Sequence, residues 1–544
     1  MQQYIPKKVD NEKTLPFLSK SRYLNGLQCE KLLWYAINNK RAFPPVDDAK
    51  QILFDEGKRV GEFAQKMFPG GNKVAFEWAP GQMHAKSVKT LEMRKPLFEA
   101  GFVFKRAYAL ADILAPTENG SWNLYEVKST TSVKDEHKND LAFQKYTYDN
   151  AGVKIQKCFL MYINNQYVKK GNIKPEELFI SQDMTEITNE LKKDVEEKLG
   201  HMLEIIALNE APIVTIGPQC DTPYECPLKG ICWKFLPEKD NVFVLLRGKK
   251  LAFELVDMGV TDIFSIPTEV ELTINQLAQI KSHKTGTPHI KKKELQEFLG
   301  KMEYPLYFLD FETIGPAIPV YDLSSPYEQV PFQFSLHIKE TEQATEPFPA
   351  TTFGGSGSGQ GQPKHFSYLA PGRPLNHSQA QVQGEPLNHS QAQVQGKDPR
   401  PEILKRLKEL LGSKGSIVAY YAPFEIKALE KAVAAYPEFS EWFETIKIRF
   451  VDLIEPFKQF YYYHPGQKGS NSIKSVLPAI TMTSYDDLQI RDGSQASREY
   501  YKITFDAKVP DTEVQRVRQA LEKYCALDTQ AMVDILEKLK NSVK

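Results

Sequence analysis

Residues 102–130 read FVFKRAYALADILAPTENGSWNLYEVKST. Apolar and polar residues alternate on both sides of the turn-like TENG at 117–120, which is the period of a strand, so the stretch reads as a β-hairpin or two adjacent strands. Asp112 ends the first strand. Glu126 and Lys128 lie two apart on the second, so their side chains share one face of the sheet. Two carboxylates that share a divalent cation, with a lysine beside them, suit phosphodiester hydrolysis: the lysine orients water or stabilises phosphate. Helical spacing surrounds the hairpin at 20–38, 51–68, 136–152 and 186–206, and KCFLMYIN at 157–164 reads as a buried strand. On the helix 136–152, Gln144 and Tyr148 stand one turn apart.

A second strand of the same kind, LYFLDFETI, occupies 306–314. Asp310 and Glu312 share one face of it, and burying two acids in so apolar a strand is costly without a cation. A pair of Mg²⁺ ions would satisfy them, and Mn²⁺ is the alternative. Further on, IVAYYAPFEIKAL reads as strand, turn and helix and carries Glu425. In YCALD, Tyr524 falls one helical turn before Asp528, so both face the same side.

The chain has 544 residues, 41% hydrophobic and 25% charged, with a formal net charge of +0. That length implies several domains, and the balanced charge means that any basic groove is local. No apolar run reaches the roughly 18 residues of a membrane span, and no apolar signal region opens the chain, so a cytoplasmic location without membrane partners is expected. The expected division is a first domain over 1–240, a small helical connector over 241–300 with the cadence of a helix–Gly-turn–helix, and a last domain over 301–544. A low-complexity insertion interrupts the last domain at about 340–400. It contains the tandem repeat PLNHSQAQVQG at 374–384 and 386–396, with His377 and His389, and has too few apolar groups to form a core.

Three of the six cysteines, Cys220, Cys226 and Cys232, fall within thirteen residues. With Cys29 they supply four thiolates, a set that suits a [4Fe–4S] cluster or, alternatively, Zn²⁺. The layout of one early and three late ligands would clasp the two ends of the first domain. Cys158 and Cys525 read as core thiols.

ADILAP, YEVKST and FQKYTY resemble the RecB-like branch of the PD-(D/E)XK nucleases. The resemblance implies Asp112 and Glu126 as metal ligands, Lys128 as the catalytic lysine, and Gln144 and Tyr148 beside the DNA. That branch often carries a metal-binding His on an early helix. Here EGKRVGEFA offers Glu62 instead, as a substitute ligand. The cysteines resemble those of the iron–sulfur nucleases related to CRISPR-associated RecB-like exonucleases, although the first spacing is longer here. DFE and YCALD resemble the DnaQ-like DEDD exonucleases in their tyrosine form. This implies metal binding by Asp310, Glu312, Glu425 and Asp528 and water orientation by Tyr524, with Glu425 where Asp is usual. The full chain is similar to bacterial proteins that pair the same two domains. The expected class is therefore α/β, with a restriction-endonuclease-like first domain and an RNase H-like last domain. The expected activity is hydrolysis of DNA, at ends or in single strands, in repair or defence. The alternatives are RNA processing and a nucleic-acid-binding scaffold with one degenerate site.

Overall fold

The computed structural model describes residues 15–342, 363–372, 396–481 and 483–544. Both repeat histidines, His377 and His389, lie outside these residues, as does the repeat itself apart from Gly396. The fold is mixed α/β and divides into two compact units. One runs to Phe235 and includes Ala317–Tyr327; the other comprises Leu236–Pro316 and Glu328–Lys544.

The first unit is built on β1 (Leu18–Ser19), β2 (Asn72–Lys73), β3 (Leu97–Phe104), β4 (Ala107–Pro116), β5 (Trp122–Lys128), β6 (Ile155–Ile163) and β7 (Phe179–Asp183). They form one sheet in the order β2-β3-β4-β5-β6-β7, with β1 paired to β4. The hairpin at TENG joins β4 to β5 antiparallel, with Ile113 opposite Tyr125 and Pro116 opposite Trp122. FVFKRAYALADILAP reads as one strand but forms two. The chain reverses at Lys105–Arg106, where Lys105 takes φ 50°, and Phe104 pairs with Ala107. A basic pair is a poor turn signal, which hides the reversal from a periodicity reading. β5 and β6 run parallel, so a crossover must join them, and the helix Asp135–Asn150 supplies it.

That helix is buried along its whole middle, polar residues included. Most polar side chains there have a partner inside, such as Lys145 Nζ on the Ile155 carbonyl at 2.7 Å and Thr147 Oγ1 on the Phe143 carbonyl at 2.8 Å, while the Tyr146 hydroxyl is buried without one. The outlying segment Ala317–Tyr327 joins this unit through backbone bonds. Lys169 N donates to Ser324 O at 3.0 Å, and Leu323 N donates to Lys169 O at 2.8 Å. A single continuous last domain from 301 is therefore interrupted at this segment.

The second unit contains β8 (His289–Ile290), β9 (Leu306–Ile314), β10 (Val330–Lys339), β11 (Lys364–Leu369), β12 (Ile417–Ala419), β13 (Phe450–Asp452) and β14 (Tyr462–Tyr463). The main sheet runs β11-β10-β9-β12-β13, and β8 pairs with β14. β9, β10 and β11 are antiparallel; β12 and β13 continue parallel to β9. β11 falls inside the span expected to be structureless, because KHFSYL supplies the aromatic residues that a strand favours. The stretch 241–300 is not a free connector. Within this unit Gln279 Nε2 donates to Val244 O at 2.7 Å and to Tyr463 Oη at 3.0 Å, and His283 bridges Asp240 and Tyr463. The expected Gly turn is Gly259, which ends the helix Lys249–Asp257 at φ 82°.

β10 is buried at every position. Phe334, Leu336 and Ile338 enter an apolar core with Ile403, Leu407 and Leu429. The alternate residues face the helix Asp511–Val543, and each finds a polar partner on it. Gln333 Nε2 donates to Leu521 O at 3.0 Å, Ser335 and His337 meet Thr529 Oγ1 at 2.6 and 2.8 Å, and Lys339 meets Glu537 at 2.6 Å. A purely apolar seam would tolerate sliding; this stripe pins the helix in register. Thr529→Val leaves Ser335 and His337 short of a buried partner, so it should destabilise this unit by about 1–3 kcal/mol. Urea denaturation read by circular dichroism checks it.

Candidate active sites

In the first unit the hairpin register sets Asp112 across from Glu126. Glu126 is 1% exposed, yet both its oxygens are partnered. Oε1 accepts from Lys128 Nζ at 2.6 Å and Lys20 Nζ at 2.7 Å, and Oε2 accepts from Gln144 Nε2 at 2.7 Å. Lys128 also reaches Asp140 Oδ2 at 2.7 Å, and Asp112 Oδ2 accepts from the Val127 amide at 2.8 Å. Asp112, Glu126, Lys128, Lys20, Lys73, Glu62 and Glu99 are among the residues lining one cavity of about 380 Å³.

Charge decides protonation here. Burial pushes Glu126 up, but Lys128 and Lys20 outweigh it and hold this carboxyl well below the usual range. Burial, with Glu126 alongside, pushes Asp112 up to about 7, against the pull of Lys20 and Lys128. Burial lowers Lys128, but Asp140 and Glu126 overcome it and keep the amine above its ordinary value. Lys128 is therefore a fixed cation in this setting, suited to stabilising phosphate charge rather than to taking a proton.

Gln144 and Tyr148, expected beside the DNA, lie inside the unit. Both are fully buried; Gln144 holds Glu126 and Asp140, and Tyr148 Oη contacts Gln144 Oε1 at 3.4 Å. Glu62 is exposed on the cavity wall, on the helix Asp48–Gln65. Three residues were missed. Asp140 precedes Gln144 by one helical turn, a signal the spacing contained. Glu99 falls between the Phe98–Ile113 and Ala100–Ala111 pairs, hence opposite Asp112, with φ 60°; only the unrecognised turn at Lys105–Arg106 reveals it. Lys20 arrives from the start of the chain, and no local pattern points to it.

Cys29, Cys220, Cys226 and Cys232 line one small cavity of about 20 Å³, covered by Leu32, Ile216, Leu228 and Trp233. Cys29 sits at the joint between the helices Lys20–Gln28 and Glu30–Asn38. The neighbouring Gln28 Nε2 donates to the carbonyls of Gln219 and Tyr224, each at 2.8 Å. The early helices and the cysteine loop are thus clasped. Burial, with the other three thiols nearby, pushes Cys226 up to about 11. Cys158 is buried in β6.

In the second unit Asp310 and Glu312 stand on β9, opposite Ser335 and Gln333. Glu425 comes from the first turn of the helix Ala422–Ala435, whose start is braced by Asp452 Oδ1 accepting from the Ala422 amide at 3.3 Å. Asp528 comes from the long last helix. Glu312, Glu425 and Asp528 are 5%, 5% and 6% exposed. Burial and mutual repulsion push Asp310, Glu312 and Glu425 well above the carboxylate range. Burial pushes Asp528 up to about 6, opposed by the Tyr485 hydrogen bond and Lys474. Tyr485 Oη donates to Asp528 Oδ1 at 2.6 Å, and Tyr524 also hydrogen-bonds Asp528. Burial and Asp528 hold both phenols far above their ordinary value, so they act as donors. Glu425 accepts from the Phe311 amide, while its Oε2 is buried without a partner. The sequence reading missed Tyr485, Lys474 and the position of Cys525, whose Sγ lies 4.0 Å from Asp310 Oδ2.

Three buried acids and the half-buried Asp310, one cation reaching them and an oxygen without a hydrogen bond make a donor set that fits a hard divalent ion. The pH dependence follows. A carboxyl with a raised folded pKa contributes stability fully present below its unfolded value of about 3.9 and lost as pH rises through the folded value. For Asp528 that window closes at about 6. Mg²⁺ should therefore raise the melting temperature little at pH 5 and clearly at pH 8. Differential scanning calorimetry with and without Mg²⁺ tests this; equal shifts at both pH values would contradict it.

A family model described as a domain of unknown function (DUF2779) matches residues 307–472, a span holding Asp310, Glu312 and Glu425. Among curated proteins none matches the chain. The solved structure of SSO0001 is similar at 13% identity over 42% of this chain and 90% of that one, with a TM-score of 0.22. At that score the likeness carries no argument.

Proposed function

We propose that the protein is a metal-dependent nuclease with two separate sites: a restriction-endonuclease-like, RecB-like PD-(D/E)XK centre in the first unit and an RNase H-like, DnaQ-like DEDD centre in the second. The observation that carries the proposal is the convergence of Asp310, Glu312, Glu425 and Asp528, drawn from three separate stretches of chain onto one buried point. Repulsion of this size has no structural use of its own, and phosphoryl transfer does use it. The strand order β11-β10-β9-β12-β13, antiparallel and then parallel, supports the RNase H-like reading.

Asp310, Glu312, Glu425 and Asp528 would hold Mg²⁺ or Mn²⁺ in the second unit, and Asp112 and Glu126, with Glu62 on the wall, in the first. Bound there, the ion supplies charge stabilisation for the phosphoryl oxygens and a more acidic water. The chain's own groups do the rest. Tyr524 and Tyr485 orient Asp528, and Tyr524 stands where it can align water. Gln144 fixes the rotamer of Glu126, and Lys128 places a permanent positive charge beside the scissile phosphate. DNA is the polymer this reading favours.

Lys128→Ala should abolish only the activity of the first unit and Asp310→Ala only that of the second, each by on the order of 10³-fold or more. Labelled single- and double-stranded DNA and RNA, digested by each variant and by the double variant, test the reading. Full activity in the double variant rejects it, and RNA-only cleavage transfers the chemistry to RNA processing.

For the cysteines the proposal is a structural [4Fe–4S] cluster. The four cysteines line one small cavity, and four thiolates brought together this way are a donor set that suits the cluster, with Zn²⁺ as the alternative. Anaerobically purified protein should be brown and hold about four irons per chain. Cys226→Ser should bleach it and lower the melting temperature of the first unit. Colourless protein with stoichiometric zinc overturns the cluster.

A further inference from the structure

Cys525 is fully buried on the helix Asp511–Val543, three residues before Asp528. That spacing places it on the same helical face as Asp528. A core thiol normally sits among apolar side chains. This one faces Asp310, Glu312, Asp528 and Glu425. Its Sγ, one oxygen of Asp310 and one of Glu312 all lie within 4.8 Å of one another. Donors placed tetrahedrally around one ion, with bonds of about 2.3 Å to sulfur and about 2.1 Å to oxygen, stand roughly 3.4–3.6 Å apart. Cys525 Sγ already lies 4.0 Å from Asp310 Oδ2, so the triad has only to draw together around an ion.

A second observation points the same way. Glu425 is 5% exposed, lies against Asp310 and Glu312, and has its Oε2 buried with no hydrogen-bond partner. It supplies a fourth donor. Mg²⁺ selects oxygen ligands and gains nothing from sulfur, whereas Zn²⁺ and Cd²⁺ take thiolate readily.

We propose that the second site also accepts a thiophilic divalent cation, Zn²⁺ or Cd²⁺, on Cys525, Asp310 and Glu312 with Glu425 in reach. The proposal rests on reading these acids as a cation-binding centre. The S–H proton leaves to solvent as the metal–sulfur bond forms, and no electrons are transferred. Because the acids are shared, the thiophilic ion competes with Mg²⁺, and the site becomes a zinc-inhibited one.

The test is a Cd²⁺ titration of the full chain, followed by calorimetry and by thiolate-to-cadmium charge-transfer absorption in the ultraviolet. Wild type should bind one more Cd²⁺ equivalent than Cys525→Ser and show the larger band; the four clasp cysteines contribute equally to both. Asp310→Asn keeps the thiol and should weaken the extra ion by about tenfold or more. Equal stoichiometry and equal bands in wild type and Cys525→Ser overturn the inference, as does unchanged affinity in Asp310→Asn. Mg²⁺-dependent hydrolysis by wild type is read separately. If wild type hydrolyses nucleic acid but Cys525 makes no difference to Cd²⁺, the nuclease reading stands and this one falls. If the cadmium difference appears without hydrolysis, the reverse holds.

Discussion

Carboxylates crowded together and largely withdrawn from water set the central constraint in both units: Glu126 with the half-buried Asp112 in the first, and Glu312, Glu425 and Asp528 with the half-buried Asp310 in the second. Two unit charges 4 Å apart repel by about 4 kcal/mol at an effective dielectric constant of 20. That is a large fraction of the net stability of a whole domain. Such a cluster persists only if protons, cations or hydrogen-bond donors offset it, and the two units use these differently. In the first, Lys20 and Lys128 both contact Glu126, so this acid stays ionised while Asp112 takes the residual proton. In the second, Lys474 is the cation that reaches the acids, and phenols and an amide supply the donors. The first centre is close to charge-balanced by its own side chains. The second is strongly anionic once its carboxyls ionise.

Holding like charges together demands rigid supports, and the buried polar residues provide them. The helix Asp135–Asn150 is polar inside because Asp140 and Gln144 must reach the sheet to fix Lys128 and Glu126. Along β10, the stripe from Gln333 to Lys339 keys the last helix into register, and the bonds to Thr529 come immediately after Asp528. The clustered acids therefore stand on strands and helices fixed by satisfied hydrogen bonds, which is how geometry is kept against repulsion.

The acids were legible in the sequence because each sits in a strongly periodic element. Asp310 and Glu312 interrupt an apolar strand, Glu126 and Lys128 alternate on one face, and Tyr524 and Asp528 share one helical turn. What the sequence hid has physical causes. Lys20, Lys474 and Tyr485 reach their centres over long chain separations and belong to no local repeat. Glu99 depends on a turn made by Lys105–Arg106, residues without turn preference. Gln144 and Tyr148 were visible as a helical pair, but spacing alone does not say whether a face looks at solvent or core. Similarly, aromatic β formers place Lys364–Leu369 in a strand beside β10, although its flanks are rich in Gly and Gln.

Glu425 shows how the length of a side chain sets the way a buried acid is held. An aspartate at this point of the first helical turn has one methylene fewer between backbone and carboxylate. With the longer side chain, the carboxylate accepts the Phe311 amide of β9, in the strand that carries Asp310 and Glu312. Its other oxygen, Oε2, remains buried and free of hydrogen bonds. The extra length thus goes into anchoring the carboxylate to the sheet rather than into pushing it past its neighbours. Asp452 fixes the helix start from the other side through the Ala422 amide. The side chain's length thus lets the sheet hold the acid while its carboxylate stays within the quartet.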